Sequence, residues 1–269
     1  MNLTDTQLQR LYQGFLKTPL LWNSSPVLGL NQLQTHEDTS LFKRQLHKRF
    51  RLGQLAEQFV FSQLEQLEDC RILAENIQIQ KERQTLGELD ALIELDKTPI
   101  HLEIIYKFYL YDETLGSTEI EHWIGPNRND SLIEKITKLK NKQLPLLYSS
   151  ECKSTLDKLG LNSEIIQQRV LFKAQLFIPY QKTVTCSQLN EDCIKGFYIN
   201  KRQLQEFRAC EFYVPSKLDW FVDVDDLVHW LDLETFKNEA NVFLEQSKSP
   251  LFWIKKPDGT LLKCFLVWW

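Results

Sequence analysis

The sequence predicts an α/β protein, because strand-like and helix-like segments alternate along its first half. Two runs, 86–95 and 100–110, alternate residue by residue between apolar and polar side chains, which is the pattern of β-strands with one buried face. In segments 51–64 and 130–143 the apolar residues instead recur at helical spacing. Together these four segments predict a sheet flanked by helices.

The pattern divides the chain into three parts. Residues 1–44 begin with a helix-like segment and end in an irregular stretch. Residues 45–150 contain the α/β core, and residues 151–269 predict an aromatic-rich α+β extension. The predicted elements of the extension are strands at 169–180, 195–200, 211–214, 251–254 and 261–268 and helices at 201–209 and 234–246. Its five tryptophans are expected in a core or an interface, with stacking on nucleic-acid bases as the alternative.

Composition indicates an ordered globular protein, because 43% of the 269 residues are apolar and 12% are aromatic. No basic start is followed by an apolar stretch, and no run approaches ~18 apolar residues. We therefore expect a cytoplasmic protein with no membrane partner. The six cysteines form no CxxC pair, so a structural zinc site is not expected.

The two alternating runs predict a hairpin in which charged side chains meet. If Lys97 and Thr98 form the turn, Asp90 lies diagonally between Glu103 and Lys107, at the ~7–8 Å typical of diagonal neighbours. Two such carboxylates can hold Mg²⁺ or Mn²⁺, which prefer oxygen ligands. A register shift of two residues would keep the faces and change the partners. The alternative is an ordinary half-exposed hairpin with surface ion pairs.

The order of these features resembles a known nuclease superfamily. A helix bearing Glu57 precedes the hairpin, and a helix with lysines and Gln143 follows it. The motifs that carry this resemblance include LGELD at 86–90, LEIIYKFYL at 102–110 and WIGPN at 123–127. The chain resembles the restriction-endonuclease-like, PD-(D/E)XK superfamily. It looks most like a bacterial domain-of-unknown-function family assigned to that superfamily.

The resemblance implies a restriction-endonuclease-like core, with a mixed central sheet flanked by helices. It also implies a magnesium-dependent phosphodiesterase acting on DNA or, as a second expectation, RNA. Asp90 and Glu103 would bind Mg²⁺ or Mn²⁺ with help from Glu57, and Lys107 would complete the catalytic set. The metal would polarise the phosphate and activate water. His101 lies near the hairpin tip and is interpreted as structural.

Basic residues near the helices are the expected contacts to a nucleic-acid strand. These are Arg51, Lys135, Lys138 and Lys142, together with Gln143. A formal net charge of −4 does not favour a nucleic-acid binder, because phosphate neutralisation supplies most non-specific affinity. A solvated helix face is therefore the alternative interpretation of these lysines.

One departure from the superfamily pattern leaves a second function open. Lys107 follows Glu103 by four residues, whereas the superfamily lysine follows by two, a position that Ile105 occupies here. The backbone separation grows from ~7 Å to ~13 Å at ~3.3 Å per residue. This favours a catalytically inactive nuclease fold that binds nucleic acid or protein. The clustered carboxylates favour the enzyme, because such a cluster is costly without a counter-ion.

Overall fold

A computed structural model describes residues 3–23, 25–34 and 40–269. The chain forms two compact units built from interleaved segments. The first unit comprises Met1–Tyr12, Leu20–Tyr106 and Glu134–Lys173, and the second comprises Gln13–Pro19, Lys107–Ile133 and Ala174–Trp269. The division into parts 1–44, 45–150 and 151–269 stays a prediction.

The first unit contains helices and long strands. Its elements are α1 (Asp5–Lys17), α2 (Leu52–Leu64), β1 (Cys70–Lys81), β2 (Gln84–Leu95), β3 (Thr98–Tyr111), α3 (Leu132–Lys138), α4 (Ser150–Leu159) and β5 (Gln167–Pro179). The strand order is β1-β2-β3-β5. Helix α1 and strands β3 and β5 begin in this unit and end in the second, whereas α3 begins in the second and ends in the first.

Helix α2 forms where the apolar spacing predicts it. Leu52, Leu55, Phe59 and Ser62 are all buried, so the predicted stripe is the face that packs inward. Helix α3 is shorter than the predicted segment 130–143. It continues as a π-helical turn at Leu139–Gln143, and such turns are frequent at functional sites.

The hairpin of β2 and β3 exists, but its predicted register is wrong by two residues. Leu95 pairs with Thr98 and Leu92 with His101, so the two-residue turn consists of Asp96 and Lys97. Both turn residues have positive φ, 49° and 63°, as a type I′ turn requires. The ladder ends at Ala91 and Leu102, one residue before Asp90 and Glu103. Those two acids are therefore closer to direct opposition than the predicted diagonal.

The half-exposed hairpin is also wrong, because both faces of these strands are covered. Leu89 and Ile93 are buried as predicted, but so are Leu92, His101 and Glu103 on the face expected to be exposed. One apolar cluster on this hairpin joins Ile79, Leu89, Leu92, Leu147, Cys152, Leu156 and Ile166. Strands covered on both faces are typical of central strands in α/β proteins.

The second unit contains the short strands and the aromatic core of the C-terminal part. Its further elements are β4 (Trp123–Ile124), β6 (Ile194–Asn200), β7 (Glu211–Tyr213), α5 (Leu233–Leu244), β8 (Leu251–Lys255) and β9 (Leu261–Val267). Strands β5, β6 and β9 pair in parallel, and β9, β8 and β7 pair antiparallel. The prediction of an α/β protein with a mixed sheet and flanking helices is confirmed.

Trp253 is fully buried and Trp220 is 8% exposed, as the core interpretation expects, whereas Trp268 is 41% exposed. In the part of the chain that the structure describes, none of the helices has the length and apolar character needed to cross a membrane.

Candidate functional site

Three carboxylates of the first unit act on one another electrostatically. Asp90 lies on β2, Glu103 on β3 and Glu57 on α2. Burial, first, and then the charges of Glu103 and Glu57 raise the pKa of Asp90 to about 8, against the backbone N–H of Ile104 and the charge of Lys135, which act to lower it. That N–H donates to Asp90 Oδ2 at 2.8 Å. The structure thus brings together three of the acids that the sequence predicts.

Glu57 belongs to the same cluster. Burial raises its pKa to about 7, and the charges of Glu88 and Glu103 act in the same direction. Lys48 and Lys135 partly offset this rise. Two acids with raised pKa values side by side indicate a site that lacks positive charge.

Glu103 is fully buried, and each of its oxygens accepts a hydrogen bond. Gln143 Nε2 donates to Oε2 at 2.6 Å, and His101 Nε2 lies 3.1 Å from Oε1. Lys135 Nζ donates to Gln143 Oε1 at 2.9 Å, which fixes the orientation of the Gln143 amide because an ammonium group only donates. Lys135, Gln143 and Glu103 therefore form a directed chain of hydrogen bonds.

The neighbours of His101 determine which of its nitrogens carries the proton. Gln168 Nε2 donates to the carbonyl oxygen of Leu144 at 2.6 Å, so this atom is the amide nitrogen. It also lies 3.2 Å from His101 Nδ1, which must then accept. The proton is on Nε2, and His101 donates it to Glu103.

Sequence reasoning missed the role of His101 and did not include Gln168 at all. Residues i and i+2 of a strand share a face, so the alternation already placed His101 beside Glu103. Because His101 lies near the hairpin tip, it was interpreted as structural. Gln168 had no local signal, because it comes from β5, far along the chain.

We expect His101→Phe to destabilise the protein by ~1–3 kcal/mol, the cost of leaving a buried acceptor without its donor. The affected atom is Glu103 Oε1, which belongs to a fully buried side chain and accepts from His101. Urea unfolding at pH 7 measures the change. His101→Gln, which keeps a donor, should recover part of the loss; equal stability of His101→Phe and wild type would contradict the assignment.

A family model described as "Domain of unknown function (DUF1853)" matches residues 9–263. The chain belongs to this family. No curated protein and no solved structure matches it.

In this DUF1853 member, Lys107 has a partner of its own in the second unit. Its Nζ donates to Asp130 Oδ2 at 2.6 Å. The predicted loop folds tightly there: the Gly125 N–H donates to the Asp130 carbonyl oxygen at 2.7 Å. A Cβ at Gly125 would lie 1.9 Å from Asp130 Oδ1. Glycine at this position therefore leaves room for the Asp130 side chain. Lys135, not Lys107, is the lysine that acts on both Asp90 and Glu57.

The predicted nucleic-acid contacts of the DUF1853 chain differ in exposure. Arg51, Lys138 and Lys142 are exposed, and across the described ranges none of their side chains has an ion pair. Lys135 and Gln143 are half-buried and belong to the Glu103 network. Arg44, by contrast, pairs with Glu65 at 2.9 Å and with Glu75.

The donor set suits a hard cation, although no cage is preformed. Among the residues that the structure describes, no three His, Cys, Asp or Glu side chains are grouped so as to hold a metal ion. Mg²⁺ does not need such a group, because it commonly uses one or two carboxylates and retains waters. Asp90 and Glu57, whose pKa values are raised by burial and by neighbouring acids, are the residues with most to gain from a cation.

Proposed function

We propose that the chain is a divalent-metal-dependent phosphodiesterase with a restriction-endonuclease-like core, acting on DNA and, as the second substrate, RNA. The observation that carries this proposal is the mutual repulsion of Asp90, Glu103 and Glu57 in a largely buried site. Such a cluster is costly to fold, and a Mg²⁺ or Mn²⁺ ion would offset that cost.

Asp90 and Glu57 would hold the ion, and Glu103 would be the third carboxylate near it. When bound, the ion supplies Lewis-acid chemistry to a phosphodiester and lowers the pKa of water. The protein supplies fixed geometry. His101 and Gln143 each donate a hydrogen bond to one oxygen of Glu103. These two hydrogen bonds fix the orientation of its carboxylate.

Lys135 is the cation that we assign to the reaction centre, in place of Lys107. It acts on both Asp90 and Glu57 and is hydrogen-bonded to Gln143. A fixed ammonium group stabilises negative charge that develops on a phosphate. Arg51, Lys138 and Lys142 are exposed, and we propose that they contact the strand's backbone.

The test is cleavage of linear, nicked, branched and single-stranded DNA and of RNA, with and without Mn²⁺. We expect Asp90→Asn and Glu103→Gln to lose at least ~10²-fold in rate, as removal of a group aligned with the reacting centre does. Glu94→Gln is the matched control, because Glu94 lies on the same strand and pairs with Arg71 at the surface, at 3.6 Å. Wild-type protein that cleaves none of the substrates with either metal would exclude the proposal.

The second candidate is a nuclease fold that binds nucleic acid or protein without cleaving. Two observations favour it: Lys107 is occupied by Asp130, and both Glu103 oxygens already have protein donors. Calorimetry separates the candidates. Heat of Mn²⁺ binding that disappears in Asp90→Asn supports the enzyme, and nucleic-acid binding without metal binding supports the scaffold.

A further inference from the structure

A cavity of about 340 Å³ lies within the second unit. Its apolar walls include Trp220, Phe243 and Leu251, and two lysines, Lys217 and Lys248, also line it. Among the described residues, no Asp or Glu lines this cavity. A cavity that combines apolar walls with positively charged groups is suited to an organic anion.

Lys217 presents its amine with no acidic partner. Its Nζ lies 3.1 Å from the ring centroid of Trp220 and 5.6 Å from that of Phe108. Within the described part of the chain it has no hydrogen bond or ion pair, although much of the residue's surface is exposed. The cation–π contact is therefore its main interaction.

The charges around Lys217 leave this amine available. The packing around Nζ lowers its pKa to about 7, and the positive charge of Lys107 adds to the effect. Asp130 acts in the opposite direction but is already paired with Lys107 at 2.6 Å. An anion entering the cavity would stabilise the charged form of Lys217, so its binding would take up a proton.

One wall of the cavity is held rigidly. The Ser249 N–H donates to Asn127 Oδ1 at 2.8 Å, and Ser249 Oγ donates to the Pro126 carbonyl oxygen at 2.7 Å. These polar atoms are satisfied by the protein, so they do not require a ligand. Lys248 Nζ donates only to Gln246 Oε1 on the surface, at 2.7 Å, and can turn toward an anion.

We propose that this cavity binds a small organic carboxylate with an aromatic or apolar body, whose anionic group pairs with Lys217 and is assisted by Lys248. The volume is near the lower end of the ~300–1,000 Å³ range of small-molecule sites, which suits a body of one or two rings. The carboxylate site stands whether or not the chain cleaves nucleic acid.

The test is calorimetric titration of the whole chain with 1-naphthoate, its neutral analogue 1-naphthamide and inorganic phosphate. We expect 1-naphthoate to bind ~10-fold more weakly at pH 8.5 than at pH 6, because each pH unit above a pKa removes up to tenfold of the charged form. At pH 7, titrations in buffers of different ionisation heat should report proton uptake.

Variants identify the group responsible. Lys217→Gln should lose ~10-fold in affinity at pH 6, and Lys217→Arg should bind equally at both pH values, because arginine stays charged. Lys201→Gln, a surface change whose lysine bonds Asn241, is the matched control and should behave as wild type. Equal affinity for the neutral amide, phosphate binding without naphthoate binding, unchanged binding in Lys217→Gln or absence of heat at millimolar naphthoate would each overturn the proposal. If Lys217→Gln does not fold, persistence of the pH dependence in Lys217→Arg overturns it.

Discussion

Replacing Lys135 by alanine is expected to lower the rate of phosphodiester cleavage by ~10²-fold or more, the usual contribution of a group positioned at the reacting centre. The reason is electrostatic. Lys135 is the lysine that lowers the pKa of both Asp90 and Glu57, so its loss leaves both acids more easily protonated. The remaining activity should therefore require a higher pH, and the acid limb of the pH profile of kcat should shift to higher pH.

Lys107→Ala is the comparison that distinguishes the two lysines. Because Lys107 is ion-paired with Asp130, we expect a loss of less than ~10-fold, within the range of a surface ion pair's influence. Lys138 is exposed and lies about one turn after Lys135 on α3. Its replacement by alanine should raise KM for DNA and leave kcat unchanged. A loss for Lys107→Ala as large as that for Lys135→Ala would restore the sequence-based assignment.

The helices and strands could be predicted because each has its own periodicity. The apolar stripe of α2 and the alternation of β2 and β3 are local patterns, and the structure contains the elements that they predict. The register could not be predicted from those patterns, because a shift of two residues keeps every side chain on its face. The turn residues decided it, and Asp96 with Lys97 is not the Asn-Gly type of turn that identifies itself in a sequence.

The candidate site likewise contains residues that the sequence could predict and contacts that it could not. Asp90, Glu103 and Glu57 were predicted because acidic residues on otherwise apolar elements are conspicuous. The hydrogen bonds that hold Glu103 were not, since Gln143 reaches it from a distant segment, and Gln168, from another, contacts its partner His101. Burial of the charged strand face was also missed. It depends on which segments cover the sheet, and alternation alone indicates only one buried face.

The pH dependence of stability provides the second large expected effect. Asp90 and Glu57 have folded-state pKa values of about 8 and about 7, above those of the unfolded chain. The folded state therefore binds more protons, and the associated stability is fully present below pH ~4 and is lost as pH rises through these values. Lys263, whose burial lowers its pKa to about 7, acts with the opposite sign and mainly above pH 7, as does Lys217.

Asp90→Asn isolates the carboxylate from the lysines, which are the same in both proteins. An Asn oxygen can still accept the Ile104 N–H that bonds Asp90, while the charge is removed. At pH 5, about one unit above the pKa of Asp in the unfolded chain, the variant should exceed wild type in stability by at most ~1.4 kcal/mol. At pH 8 without metal it should be more stable by ~2–3 kcal/mol, less than the full 1.4 kcal/mol per pKa unit because the neighbouring acids share the repulsion.

Bound metal should reduce or remove the stability advantage of Asp90→Asn over wild type. At pH 8, Mg²⁺ at 100 times its Kd should stabilise wild type by ~2.7 kcal/mol and leave Asp90→Asn nearly unchanged, since ligand that binds only the folded state stabilises it by mass action. Urea unfolding at pH 5 and pH 8, with Mg²⁺ or with chelator, measures all four conditions, and Glu94→Gln should follow wild type throughout. A variant no more stable than wild type at pH 8 without metal would show that Asp90 carries no electrostatic cost. The principal reason for expecting a cation beside it would then be gone, because that cost is what bound metal would relieve.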